Sequence, residues 1–229
     1  MSALSEVIIE KTDMKTIKTD GITYIELIPY GTDEWYYGIS YEHGDLYEAE
    51  EVFKAGHDVE GRNLCLIHYP DGEVYRPVPK QPGIYPAEPV YYEGGIFILN
   101  VNFLKDLIQI IRFDCDSREI EIIEELPLGS VKDCYNLSLD IAPLTLTRQC
   151  VGSNEFEIIW PEKVHFYMGD HDSFFLRDSD KLYFSRWHED GDGSNYYTET
   201  VVTNFQGEEI EVFPGDIQIM PNGEMWHIK

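Results

Sequence analysis

Short runs of alternating apolar and polar residues fill most of the chain, and Gly, Pro, Asp and Asn separate them. Residues 89–126 show the pattern best. An aromatic run (PVYY) is closed by Glu93-Gly94-Gly95. Residues 96–103 (IFILNVNF) follow and are apolar on both faces, as a strand buried on both sides must be. After Leu104-Lys105-Asp106 comes a second isoleucine-rich run at 107–113. The DCDSR turn at 114–118 then leads into 119–125, where Glu alternates with Ile. The order predicted is a short entry strand, two buried strands and a half-exposed outer strand.

The same reading covers the rest of the chain. Strands are predicted at 22–30, 34–41, 63–69, 73–78, 134–141, 144–149, 155–160, 163–168, 173–176, 181–188, 196–205, 208–212, 216–220 and 224–229. Residues 46–53 fit an acidic outer strand or a short helix. Pro70-Asp71-Gly72, between two apolar runs, is a strong hairpin signal. Pro77, Pro79, Pro82, Pro86 and Pro89 predict an extended connector without a regular ladder. No stretch sustains a 3.6-residue apolar period, so the fold class expected is all-β.

Two segments repeat a pattern, HYPDGEVY at 68–75 and IMPNGEMW at 219–226. Gly31, Asp71, Gly94, Ala142, Ser179 and Asn222 serve as turn landmarks. Most are spaced as four-stranded blades of roughly 40–45 residues require. Asp71 and Gly94 stand only 23 residues apart. Either one blade is degenerate or one landmark is false.

In strand order and turn placement the chain resembles β-propellers with blades of the Kelch or five-bladed-lectin sort. Only Gly94-Gly95 supplies a diglycine, and no WD signature recurs, so the resemblance implies a fold and no site. The expected architecture is one domain over residues 1–229, a propeller of five four-stranded blades, or six with one degenerate. An N-terminal strand at 6–11 (EVIIEK) closes the last blade. A pair of two-sheet β-sandwiches is the rival arrangement.

Composition narrows the partners. Hydrophobic residues make up 43% of the 229, enough for a folded core. The net charge of -26, from 43 acidic and 17 basic residues, repels phosphate backbones and anionic lipid. Nucleic acid and membrane are therefore not expected as partners; a small molecule, a sugar or a protein is. The first residues lack a basic start with a long apolar core, and no apolar run approaches the ~20 residues of a membrane span. Cys65, Cys115, Cys134 and Cys150 form no C-x-x-C pair and read as reduced thiols of a cytoplasmic protein, with a Cys134–Cys150 disulfide as the alternative.

Candidate chemistry is sparse. Residues 188–195 (HEDGDGSN) could offer hard oxygen ligands to calcium through Asp190, Asp192 and Asn195, but the spacing departs from an EF-hand, and a solvated hairpin loop explains it as well. The seven histidines lack zinc spacing, no G-x-S-x-G occurs, and no cofactor is expected. Glycoside hydrolysis needs two facing carboxylates, for which Asp140, Glu88, Asp178 and Asp216 are candidates. Arg112, Arg148 and Arg186 fall on predicted inner strands, where burial requires carboxylate partners. With Asp140 they define an expected axial binding pocket. An exposed pair such as Tyr196-Tyr197 could stack on a sugar. The expected function is a non-enzymatic ligand-binding or interaction module; the alternative is a carbohydrate-active enzyme on the same fold.

Overall fold

A computed structural model describes residues 14–42, 44–150, 152–191, 193, 195–220, 222 and 224–229. The expected closing strand at 6–11 lies outside them. Strand accounts for 50% and helix for 6%, which makes the protein all-β.

The first sheet runs in chain order through β1 (Glu26–Leu27), β2 (Trp35–Ile39), β3 (Leu64–His68) and β4 (Val74–Tyr75). The 22–30 run forms a ladder over only two residues. Between β2 and β3 stands the one α-helix of the described residues, α1 (Leu46–Lys54). A capping box starts it: Glu48 N donates to Asp45 Oδ1 at 3.1 Å, and Asp45 N donates to Glu48 Oε2 at 3.0 Å.

The second sheet holds β5 (Ile84–Pro86), β6 (Val90–Tyr92), β7 (Gly95–Asn102), β8 (Leu107–Asp114) and β9 (Ile120–Pro127). β5 lies within the proline-rich connector, contrary to expectation. Ile84 to Pro86 pair with Asn102 to Asn100 at the far end of β7, and β6 pairs with its near end. Two short strands thus share one edge of β7 and fill the place of a single entry strand. Glu93 (φ 44°) and Gly94 (φ 78°) form the two-residue turn between the partners Tyr92 and Gly95.

β10 (Leu137–Ile141), β11 (Leu144–Cys150), β12 (Glu155–Trp160) and β13 (Val164–Tyr167) make the third sheet. β14 (Asp172–Asp178), β15 (Lys181–Glu189), β16 (Tyr196–Thr203) and β17 (Glu209–Pro214) make the fourth. The fifth has two strands, β18 (Asp216–Ile219) and β19 (Met225–Ile228). Every ladder is antiparallel.

Gly31, Gly94, Ala142, Ser179 and Asn222 all lie between the first and second strands of their sheets, counting β6 as the entry to β7. Asp71 is the false landmark, because it sits between β3 and β4. The two Pro-[Asp/Asn]-Gly-Glu segments therefore occupy different places. That pattern encodes a turn, not a position within a sheet.

The sheets pack face against face. Trp35, Tyr37, Leu64 and Leu66 of the first sheet meet Ile96, Ile98, Ile111 and Phe113 of the second. The other face of β7, with Phe97, Leu99 and Val101, meets Leu137, Leu139, Leu144 and Leu146 of the third. Phe156, Ile158 and Phe166 of the third sheet pack on Leu182, Phe184 and Val201 of the fourth. β7 is buried along its whole length, as its two apolar faces demand. In β9 a register shift leaves Ile123 without a partner opposite Ile110 and Ile111. This bulge turns Ile123 onto the core and leaves Ile120 and Ile122 half exposed. All four cysteines are free thiols, and no helix of the described residues is long and apolar enough to cross a membrane.

Candidate functional site

One cavity of about 360 Å³ is lined from all five sheets. Its wall is made by Pro29 and Tyr30 after β1, Val90 of β6, Leu139 to Ala142 at the end of β10, Phe174 and Phe175 of β14, and Ile217 to Ile219 of β18. Pro29, Val90 and Leu139 also line a mouth of about 520 Å³. Tyr30, Ile141, Ala142 and Ile219 also line a second mouth of about 700 Å³. The three cavities therefore share wall residues.

Asp140 is the one charged residue in the wall of the central chamber. Thr147 Oγ1 donates to its Oδ2 at 2.6 Å. Burial pushes the carboxyl up to about 6, and the Thr147 hydrogen bond opposes the shift only in part. A raised carboxyl destabilises the fold once ionised, so its contribution falls as pH rises from the unfolded value near 3.8 through 6. Asp140→Asn is expected to be more stable than the parent at pH 8, by about 2–3 kcal/mol. The difference should vanish near pH 4, as read by urea denaturation at both pH values. A constant difference would show that ionisation of Asp140 is not its source.

The smaller mouth is built by α1. Glu50, 5% exposed, accepts from the backbone N–H groups of Cys134 and Tyr135 at 2.9 and 3.3 Å, and Lys54 pairs with it at 3.0 Å. These bonds tie the helix of the first sheet to the approach of the third. They set Tyr135 edge-on against Tyr47, with ring centroids 4.9 Å apart. The Tyr85 hydroxyl donates to the Gly44 carbonyl and holds the start of the helix. Tyr37 and Tyr41 also line this mouth, together with Leu46, Val90, Leu99, Leu137 and Leu139.

Two charges flank Tyr41. Its hydroxyl donates to Glu88 Oε1 at 3.3 Å, while the Arg62 guanidinium lies 4.7 Å from its ring centroid and 5.5 Å from that of Tyr85. Burial, and then the Glu88 charge, raise the Tyr41 phenol above its usual range. Arg62 is 8% exposed and lines the mouth. Its Nε and Nη1 donate to the carbonyls of Ser40 and Pro86 at 3.3 and 3.5 Å. Among the described residues no carboxylate comes within 4 Å of it, and its Nη2 has no acceptor. Compared with protein-family models and with curated proteins, the chain matches none.

At the larger mouth Tyr91 packs so closely on Gly31 that a Cβ there would stand 2.7 Å from its ring, and the φ of 77° also requires glycine. Arg177 lines this mouth, pairs with Glu162 and lies over the Phe205 ring at 5.1 Å.

Of the expected pocket residues, Asp140 stands in the wall of the central cavity and the three arginines stand elsewhere, on second or third strands. Arg112 of β8 pairs with Asp114 at 2.6 Å. Arg148 of β11, 1% exposed, meets Asp133 at 2.5 Å, Glu157 at 3.0 Å and Glu155 at 3.3 Å. Arg186 of β15 meets Asp172 at 2.6 Å and Glu209 at 2.7 Å. The structure does not bring the four together. Glu88 and Asp178 line different cavities, and Asp216 accepts from Ser185 at 2.6 Å.

In the 188–195 loop, Asn195 Nδ2 donates to Asp190 Oδ2 at 2.6 Å, and Gly193 N donates to the Asp190 carbonyl at 2.7 Å. Asp192 lies outside the described residues, and among those described no three metal-ligating side chains converge. Tyr196 and Tyr197 are both exposed. They leave opposite faces of β16, Tyr196 stacked near Trp187 and Tyr197 stacked on His188 with ring centroids 4.5 Å apart.

Sequence reading named Glu88 but not Arg62, Tyr47 or Tyr135. Arg62 lies in a loop between Gly61 and Asn63, with no local pattern to mark it.

Proposed function

We propose that the chain is a single-domain β-propeller of five blades, one per sheet, acting in the cytoplasm as a non-catalytic binding module. Its ligand is small and enters the tyrosine-lined mouth beside the central cavity. One observation carries the reading: residues of β6, β10, β14 and β18, with Pro29 and Tyr30 just after β1, line the same cavity. The outer strands β9 and β17 are largely exposed, in keeping with a rim. Four tyrosines beside apolar residues, with few polar groups, suit a small-molecule site. The net charge disfavours nucleic acid and anionic membrane as partners.

The alternative, glycoside hydrolysis, needs a facing pair of carboxylates. The central cavity has Asp140 as its one acid, while Glu88 and Asp178 line two other cavities. A binding role without hydrolysis therefore fits better.

A fragment and sugar screen read by NMR of 13C-labelled tyrosine rings tests the reading. Bound compounds are expected to shift Tyr41, Tyr47 and Tyr135, and to lose affinity at least tenfold in Tyr47→Ala/Tyr135→Ala. Both rings are exposed at the lip, at 50% and 38%. Binding that maps only to Trp187 and Tyr196, or turnover of a glycoside, would overturn it.

A further inference from the structure

We infer that the mouth beside α1 receives a small zwitterion, an apolar α-amino acid or dipeptide, whose carboxylate meets Arg62 and whose ammonium meets Glu88. This rests on the binding role proposed above and names the ligand class for that site.

Arg62 stands apart from the other arginines of low exposure. Arg148, Arg177 and Arg186 each meet at least one carboxylate. Arg62, although 8% exposed in a chain of net charge -26, has two carbonyls and two aromatic rings as its neighbours. A buried cation calls for an anionic partner. A guanidinium with an N–H2 still unpaired at a cavity wall can supply a charge-assisted hydrogen bond to an incoming carboxylate.

The surroundings select the kind of anion. Asp45 and Glu88 line the same mouth, so a phosphate dianion would meet repulsion there. The protein's overall field also repels free anions, whereas a zwitterion carries no net charge against it. The Asp45 carboxylate is taken by the N-terminus of α1, leaving Glu88 to receive a cation. Glu88 is exposed, and its partner in the mouth is the Tyr41 hydroxyl. Tyr41 itself spaces the charges: its ring faces the guanidinium and its hydroxyl faces the carboxylate. The cation and the anion thus border one tyrosine at the same mouth, where a small zwitterion can present a charged end to each. A neutral sugar would stack on the tyrosines but leave the guanidinium without its anion.

The test uses the full chain and tyrosine-ring NMR together with calorimetry. The probes are L-phenylalanine and the dipeptide Leu-Phe, each with its methyl ester and its N-acetyl derivative. The free forms should shift Tyr41, Tyr47 and Tyr135 and bind at least tenfold more tightly than either blocked form. Glu88→Gln, an exposed change, should weaken the free forms and leave the N-acetyl forms unaffected. Arg62→Met should abolish the preference for a free carboxylate. The ligand series on the unaltered chain decides the matter even if Arg62→Met does not fold. Equal binding of free and blocked forms at the mouth would overturn the zwitterion while leaving the mouth as a binding site. No shift of the mouth tyrosines by any of these probes would also overturn it. A neutral fragment shifting the same rings would then show that the binding role itself survives.

Discussion

Arg148→Met is expected to destabilise the chain by about 3–5 kcal/mol at pH 7, the usual consequence of removing one partner from a buried ion cluster. Arg148 is 1% exposed and holds Asp133, Glu155 and Glu157 between the second and third strands of the third sheet and the approach to β10. Methionine fills much of the space and removes the charge, so the three carboxylates face one another with only Lys132 at the edge, 3.0 Å from Glu155. In the parent, the Lys132 hydrogen bond, with smaller help from Ser153 and Arg148, holds the Glu155 carboxyl below its ordinary range against its desolvation. That stabilisation is present above the unfolded pKa and is lost as pH falls through the lower folded value. In the variant the sign reverses, because crowded carboxylates take up protons more readily when folded. The deficit should therefore be largest at neutral pH and shrink toward pH 5. Urea titrations of both proteins across that range measure it, and a deficit below about 1 kcal/mol at pH 7 would mean that the carboxylates find water instead.

Phe156→Ala should cost about 3–5 kcal/mol at any pH, since it removes a fully buried aromatic side chain and leaves a cavity. Phe156 joins the third sheet to the fourth. Its ring lies 5.2 Å from Phe166, 4.9 Å from Phe174 and 5.2 Å from Phe184. Each such aromatic pair adds about 0.5–1.5 kcal/mol beyond its buried area. Phe156→Leu keeps much of the apolar volume and should lose distinctly less. The comparison separates ring geometry from burial. Equal losses in the two variants would show that the lost ring contacts, and not the cavity, set the cost.

Much of this fold is local, and what is local could be read from the residues. The ladders from Leu137 to Pro214 fall close to the predicted runs, because alternation fixes the strand and Pro, Asp-Gly and Gln-Gly fix the turns. α1 was also within reach: Asp45-x-x-Glu48 is a capping-box pattern, and it outweighs the ambiguity of LYEAEEVF. β5 was hidden because five prolines argue against a ladder, while its pairing is decided by the far end of β7. The candidate site was legible in part. Asp140 and Glu88 stood out as acids near the ends of short strands. The mouth itself depends on Glu50 reaching the backbone of Cys134 and Tyr135, a contact across 84 residues that no local pattern encodes. The arginines illustrate the same limit. Their need for carboxylates follows from composition, but the sheet position at which each need is met follows from the fold.

The strand order has a kinetic consequence. Four of the sheets are meanders, and the second departs from one only where β5 pairs with β7 past β6, so nearly all ladders join strands that are neighbours along the chain. Most of the connecting loops are short and cost little entropy to close, and the longest, which carries α1 between β2 and β3, costs only modestly more because each added loop residue costs less than the last. Such local pairing places the chain toward the fast end of all-β proteins. It also allows a sheet to form as the ribosome releases it, before the next has been made. The contacts that must wait are those between sheets, and α1 is foremost among them: its glutamate cannot find Cys134 until the chain of the first two sheets has been synthesised.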